Sequence, residues 1–222
     1  MDNSTNDLIL HSLEVGTAAL SRTRSQHIGT VGRLAQSAIL GEFWSQFQRE
    51  WSQLREEGRI KDDYAESKSC REAFSRMASA VEQESLESDV MEFIKDIFLN
   101  AASLNSEDGI LTHYIEIAKE LSAGEVQVLQ YCYSRCEDPS YTPPNGGIGF
   151  SSWCQKVAES SGLRHEALVE KYADLLIAKK LLKKREHSDL SGFTEGKYCG
   201  MTPLGFSLTE LASDGLADES TE

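Results

Sequence analysis

Cys132 and Cys136 stand four residues apart in the tract GEVQVLQYCYSRCE. A helix there would turn both thiols to one side, where two thiolates could share a metal ion. Structural zinc normally takes four ligands, and no second Cys/His pair at a metal-like spacing accompanies these two. We therefore expect no metal, and read both as free thiols in a core. His165-Glu166 opens like the HExxH of a zinc protease, but position 169 is Val, so the second ligand is missing. The glycine-rich NGGIGF at 145–150 lacks the Lys-Ser/Thr ending of a phosphate-binding loop and reads as a turn. His11, His27, His113, His165 and His187 show no spacing with Ser, Cys or Asp that marks a nucleophile relay. The expectation is a protein that is not an enzyme and needs no cofactor.

Composition sets the class of partner. The 222 residues carry a formal net charge of −14, and 40% are hydrophobic, the proportion of a folded globular chain. Phosphate neutralisation dominates DNA affinity, so an acidic chain could bind DNA only through a local basic face. No run of about 18 apolar residues occurs, so no membrane span is expected. The N-terminal MDNSTNDLIL lacks the basic start and apolar core of a secretory signal. With five cysteines, an odd number, the chain reads as cytoplasmic with reduced thiols.

The elements that must position any site are mainly α-helical. Residues 5–57 carry helical spacing, with Ile39, Phe43, Phe47, Trp51 and Leu54 on one face and Gly58 as a left-handed C-terminal cap. Gly29, Gly32 and Gly41 suggest a break near residue 30 or close packing against a neighbour. The Trp44, Phe47, Trp51 stripe reads as core. Together with the small residues of 16–41 it also makes this N-terminal helix a candidate surface for a homo-oligomer. Further helices are expected at 68–83 (Phe74, Met77, Ala78, Val81), 86–103 (Val90, Phe93, Ile94, Ile97, Phe98, Ala101) and 109–121 (Leu111, Tyr114, Ile115, Ala118). Ser122 and Glu125 form a capping box that opens a helix over 123–136. CEDPSYTPPNGGIG, with three of the four prolines, is the one long loop.

From 151 the order of elements is that of a winged helix-turn-helix. A short helix at 151–161 ends at Gly162, and a second at 164–180 follows, with Leu168, Tyr172, Leu175 and Leu176 expected on its buried side. A strand begins near 181, HSDLSGFTEG is the wing, and Tyr198 and Met201 belong to the return strand. Thr202 caps a last helix, Pro203 opens it, and Leu204, Leu208 and Leu211 form its apolar stripe. The domain reading is a helical bundle at 1–121, a winged-helix-like domain with a small β-hairpin at 122–213, and a disordered acidic tail at 214–222. Between residues 150 and 200 nine cationic side chains face seven anionic ones, a balance of +2 that leaves −16 for the rest. The residues we expect to contact a nucleic acid or a protein partner are Arg164, Lys171, Lys179, Lys180, Lys183, Lys184 and Arg185. Glu166, Glu170 and Asp174 on the same helix oppose phosphate, which favours a protein partner over DNA.

Four tracts carry a family resemblance: REAFSRMASAVEQESLESDVMEFIKDIFLNAAS, LTHYIEIAKELSAGEVQVLQ, LIAKKLLKKRE and MTPLGFSLTEL. Over about residues 40–213 they resemble the abortive-infection alpha family of bacterial proteins. The Lys119, Leu121, Ser122, Glu125 helix start and the closing Thr202 to Gly205 carry the closest similarity. The resemblance implies a role in phage defence and brings no catalytic residues with it. The function expected is a non-enzymatic protein-interaction module, with a DNA-binding regulator as the alternative.

Overall fold

The computed structural model describes residues 30–83, 86–104, 109–137, 150–183 and 200–213. Among them the chain is mainly helical: α1 Thr30–Glu56, α2 Asp62–Ala65, α3 Lys68–Gln83, α4 Ser88–Ser103, α5 Ile110–Ala118, α6 Ala123–Glu137, α7 Phe150–Ser161, α8 Glu166–Ala178 and α9 Pro203–Ser213. Helix α4 carries one broad apolar face, which must be covered by several neighbours. It packs against α1, α3, α5, α6 and α9 and buries Val90, Phe93, Ile94, Ile97, Phe98 and Ala101. One apolar core runs from Phe43 through Leu121 and Val126 to Leu208.

The aromatic face of α1 is buried within the chain from Phe43 onward. The Phe47 ring centroid lies 5.7 Å from those of both Phe74 and Phe98, and Trp51 stacks on Phe98 at 5.8 Å. Ile39, expected on that face, is exposed, because the buried run begins only at Phe43, where the rings of α3 and α4 are met. Gly41 lies inside the helix with open space around the position of a β-carbon, so close packing is not its reason. Gly58 ends α1 with φ 72°, as the spacing predicts. Arg59 N–H bonds the Leu54 carbonyl at 2.9 Å and Gly58 N–H that of Arg55 at 3.0 Å, the crossed pair of a Schellman cap.

The capping box is formed. Ser122 N–H donates to Glu125 Oε2 at 2.9 Å, and Glu125 N–H to Ser122 Oγ at 3.4 Å. Helices α6, α7 and α8 pack against one another, and α9 returns across α4 and α6. Leu204 is more exposed than its stripe implies; Gly205, Leu208 and Thr209 are the buried residues of α9. Gly205 presses on the Leu181 backbone, so the helix turns its glycine inward and Leu204 outward.

The expected phase of α8 holds for Leu176 and in part for Tyr172, and fails for Leu168 and Leu175. Val169, Ala173 and Leu176 are buried, Tyr172 is half-buried, and Leu168 and Leu175 are exposed by 37% and 39%. Two leucine-containing stripes compete on this helix. The stripe with the small Ala173 faces α6 and α7, where the helices approach closely. The helix is also shorter than expected, with Arg164 before it at φ 62° and Lys180 after it at φ 61°. Of the expected hairpin, the described residues hold one antiparallel bridge, Leu182 with Met201. Lys183 N–H donates to the Gly200 carbonyl at 2.6 Å and Thr202 N–H to that of Leu181 at 3.0 Å. The wing, Tyr198, the N-terminal tract to residue 29 and the acidic tail lie outside the described residues.

Candidate functional site

Helix α8 presents its outer face directly opposite Val169, Ala173 and Leu176. At 100° per residue Ala167, Lys171, Asp174 and Ala178 lie on that face, with Leu168 and Leu175 along one flank of it; all six are exposed. Its two ends are fixed from both sides. At the start, Gly162 (φ 75°) and Arg164 turn the chain from α7 into α8, and Ser151 Oγ reaches Glu166 Oε2 at 3.4 Å. At the end, Leu181 N–H bonds the Leu176 carbonyl at 2.9 Å and Lys180 N–H that of Ile177 at 3.0 Å, a second Schellman cap. Tyr172 packs its ring onto Gly124 of α6, where a β-carbon would lie 2.2 Å from the ring. The helix is therefore capped at its C-terminal end and packed on α6, and its exposed face is amphipathic and carries both signs of charge.

The expected contact residues divide into three groups. Arg164, Lys171, Lys180 and Lys183 are exposed around α8 and the bridge. Lys179 is directed inward: its Nζ donates to Glu125 Oε1 and to the Glu120 carbonyl, each at 2.6 Å, bracing α8 against the start of α6. Lys184 and Arg185 lie outside the described residues. What this leaves on α8 is a mixed-charge surface with leucines at its edge, not a row of phosphate-binding cations.

A second polar site escaped the sequence reading. Lys95, 2% exposed, ion-pairs with Glu92 at 2.6 Å, Glu50 at 3.1 Å and Asp96 at 3.8 Å. Gln46 Nε2 donates to Glu50 Oε1 at 2.9 Å and Glu92 Oε2 at 3.4 Å, tying α1 to α4. Burial disfavours the Lys95 ammonium, but hydrogen bonds to Glu92 and Glu50 and the charges of Asp96 and Glu92 outweigh it, and its pKa rises. Asp96 is pushed up to about 7 by burial, against the pull of Lys95 and with the help of Glu92 and Glu50. A cavity of about 110 Å³ adjoins the cluster, lined by Glu50, Glu57, Arg59, Asp96 and Asn100 among others. The signal available in the sequence was Lys95-Asp96 interrupting an apolar run, with Glu92 one turn before.

Of the residues first considered for chemistry, the structure describes Cys132, His113, His165, Glu166 and Val169. Cys132 is fully buried, and the side chain of Cys136 lies outside the described residues, as does NGGIGF up to Gly149. Burial pushes the Cys70 thiol up to about 11, well away from a reactive thiolate. His113 and His165 are exposed, and Val169, where a zinc protease would have histidine, is in the core. Among the described residues no group of three or more His, Cys, Asp or Glu is arranged to hold a metal ion. No described helix is long and apolar enough to cross a membrane. Compared with known proteins, the chain matches no family model, no curated protein and no solved structure.

Proposed function

We propose that the chain is a non-enzymatic protein-interaction module of bacterial phage defence that docks a protein partner through the outer face of α8. One observation carries the docking: Leu168 and Leu175 are exposed along one flank of a capped helix. Exposed leucines beside Lys171 and Asp174 suit a protein surface, whose contacts mix apolar and paired polar groups. Carboxylates at 166, 170 and 174 repel a phosphate backbone. In this reading α6, α7 and α8 are the three helices of a winged helix, and the Leu182–Met201 bridge is the base of its hairpin. The defence assignment is supported by the resemblance of residues 40–213 to the abortive-infection alpha family, including Thr202 to Gly205.

The test is a Leu168→Glu/Leu175→Glu double variant, checked for helicity by circular dichroism. It is expected to lose both phage protection in a bacterial host and capture of the partner from infected cells. Protection equal to the parent would overturn the reading, as would turnover of a nucleotide or nucleic acid by the purified chain. The regulator alternative draws on exposed Arg164, Lys180 and Lys183 together with Lys184 and Arg185. It requires duplex retardation with a steep salt dependence, abolished by charge reversal at 183 to 185.

A further inference from the structure

Helix α9 brings its last turn to the polar cluster around Lys95, and the two meet at the cavity beside it. Ala212 and Ser213 line that cavity from α9, and Asp96 and Asn100, one turn apart, line it from α4. Asn100 is buried and donates through Nδ2 to the Leu211 carbonyl at 2.7 Å, which ties the end of α9 to α4. The last carbonyls of a helix lack partners within it and carry partial negative charge. An anion beside them is disfavoured, and a neutral group is tolerated. We infer that Asp96 is a proton-operated latch on α9: its neutral carboxyl lets the last turn of that helix sit on α4, and its carboxylate drives the turn to open.

The charges around the junction favour the proton. Glu92 on α4, Glu50 on α1 and Glu57 just beyond α1 are anionic, and Lys95 and Arg59 oppose them. Lys95 Nζ stands 2.6 Å from Glu92 and 3.1 Å from Glu50, nearer than the 3.8 Å to Asp96, so the other two carboxylates take most of its charge. Helix α9 adds Glu210, half-buried, and Asp214 follows the helix in sequence. Burial pushes the Asp96 carboxyl up to about 7, against the pull of Lys95 and with the help of Glu92 and Glu50. Opening the end of α9 admits water to Asp96 and returns its carboxyl toward the ordinary carboxylate range. The open form thus holds the proton less tightly, so opening is favoured as pH rises from about 4 and levels off above about 7. Gly205 of the same helix presses on Leu181, beside the Leu182–Met201 bridge, so the latch acts on the helix against which that bridge is seated.

Hydrogen exchange of the full chain, followed by mass spectrometry from about pH 4 to about pH 8 and corrected for the intrinsic pH dependence of exchange, tests the latch. Protection of the amides at 208–213 is expected to fall about tenfold across the series, with α7 and α8 unchanged. Asp96→Asn is expected to keep α9 protection constant over the same range. Glu92→Gln, which removes a neighbouring anion and leaves Asp96 in place, is expected to move the fall to lower pH. Flat α9 protection in the parent, an equal fall in Asp96→Asn, a midpoint unmoved by Glu92→Gln, or a fall shared equally by α7 and α8 would each overturn the inference.

Discussion

Gly205→Ala adds one methyl group where α9 presses on the Leu181 backbone. A β-carbon there would lie 2.1 Å from the Leu181 carbonyl oxygen and 2.9 Å from the carbonyl carbon. Carbon and carbonyl oxygen ordinarily come no closer than about 3.3 Å, so α9 must retreat by roughly 1 Å. The obstacle is backbone and has no rotamer to escape into. The same carbonyl accepts the Thr202 N–H at 3.0 Å and the Thr202 Oγ1 hydroxyl at 3.2 Å, and the hydroxyl also donates to the Lys180 carbonyl at 2.7 Å. Retreat weakens all three. Overpacking costs about 1–3 kcal/mol, and each weakened bond adds up to about 1 kcal/mol. Alanine returns about 1 kcal/mol of helix propensity. The net loss is about 2–3 kcal/mol, a large share of the roughly 5–15 kcal/mol that holds a typical domain together. Urea unfolding followed by circular dichroism should show the midpoint fall by about 1 M at an ordinary slope. Gly41→Ala is the matched control: it has open space around it and should gain about 1 kcal/mol. Equal midpoints for Gly205→Ala and the parent would refute the claim that α9 is seated on Leu181.

Lys180→Gly should stabilise the chain by up to about 1 kcal/mol, since Lys180 holds φ 61° at a Schellman position that favours glycine; thermal unfolding checks it. Lys95→Ala should cost about 3 kcal/mol in the same assay, because Glu50, Glu92 and Asp96 are left facing one another. The partial exposure of Glu92 and Asp96 keeps that loss at the low end. Asp96→Asn should raise stability at pH 8 and change little at pH 4. Burial lifts the folded carboxyl to about 7 from an unfolded value near 3.9, so the native state holds its proton more tightly. Stability from this group therefore falls as pH rises from about 4 to 7. A variant-to-parent difference in melting temperature that is flat across that window would exclude the raised Asp96.

Helix positions and caps were legible because their causes lie within a few residues. Gly58 in a left-handed cap is settled by glycine's freedom at positive φ, and the Ser122–Glu125 box and Thr202 before Pro203 by side chains reaching nearby backbone N–H groups. The rotation of α8 was not legible. Val169, Leu176 and Ala173 and the alternative Leu168, Leu175 and Tyr172 are comparable apolar stripes in sequence. The choice belongs to how closely α6 and α7 approach. The inward turn of Lys179 was equally hidden, since its partners Glu120 and Glu125 lie more than fifty residues away. The Lys95 cluster depends on Glu50, which α1 brings across from 45 residues earlier.

By itself the sequence determined a mainly helical chain, the start and stop of most helices, and the broad apolar face of α4. These follow from local hydrogen bonding and from periodicity, which neighbouring residues suffice to express. Only the tertiary structure decided which side of α8 meets water, which lysine becomes a strut and which charge is buried among carboxylates. Those outcomes depend on surfaces contributed by distant helices, where the closest packing of backbones, as at Gly124 and Gly205, selects one rotation among several of similar hydrophobicity.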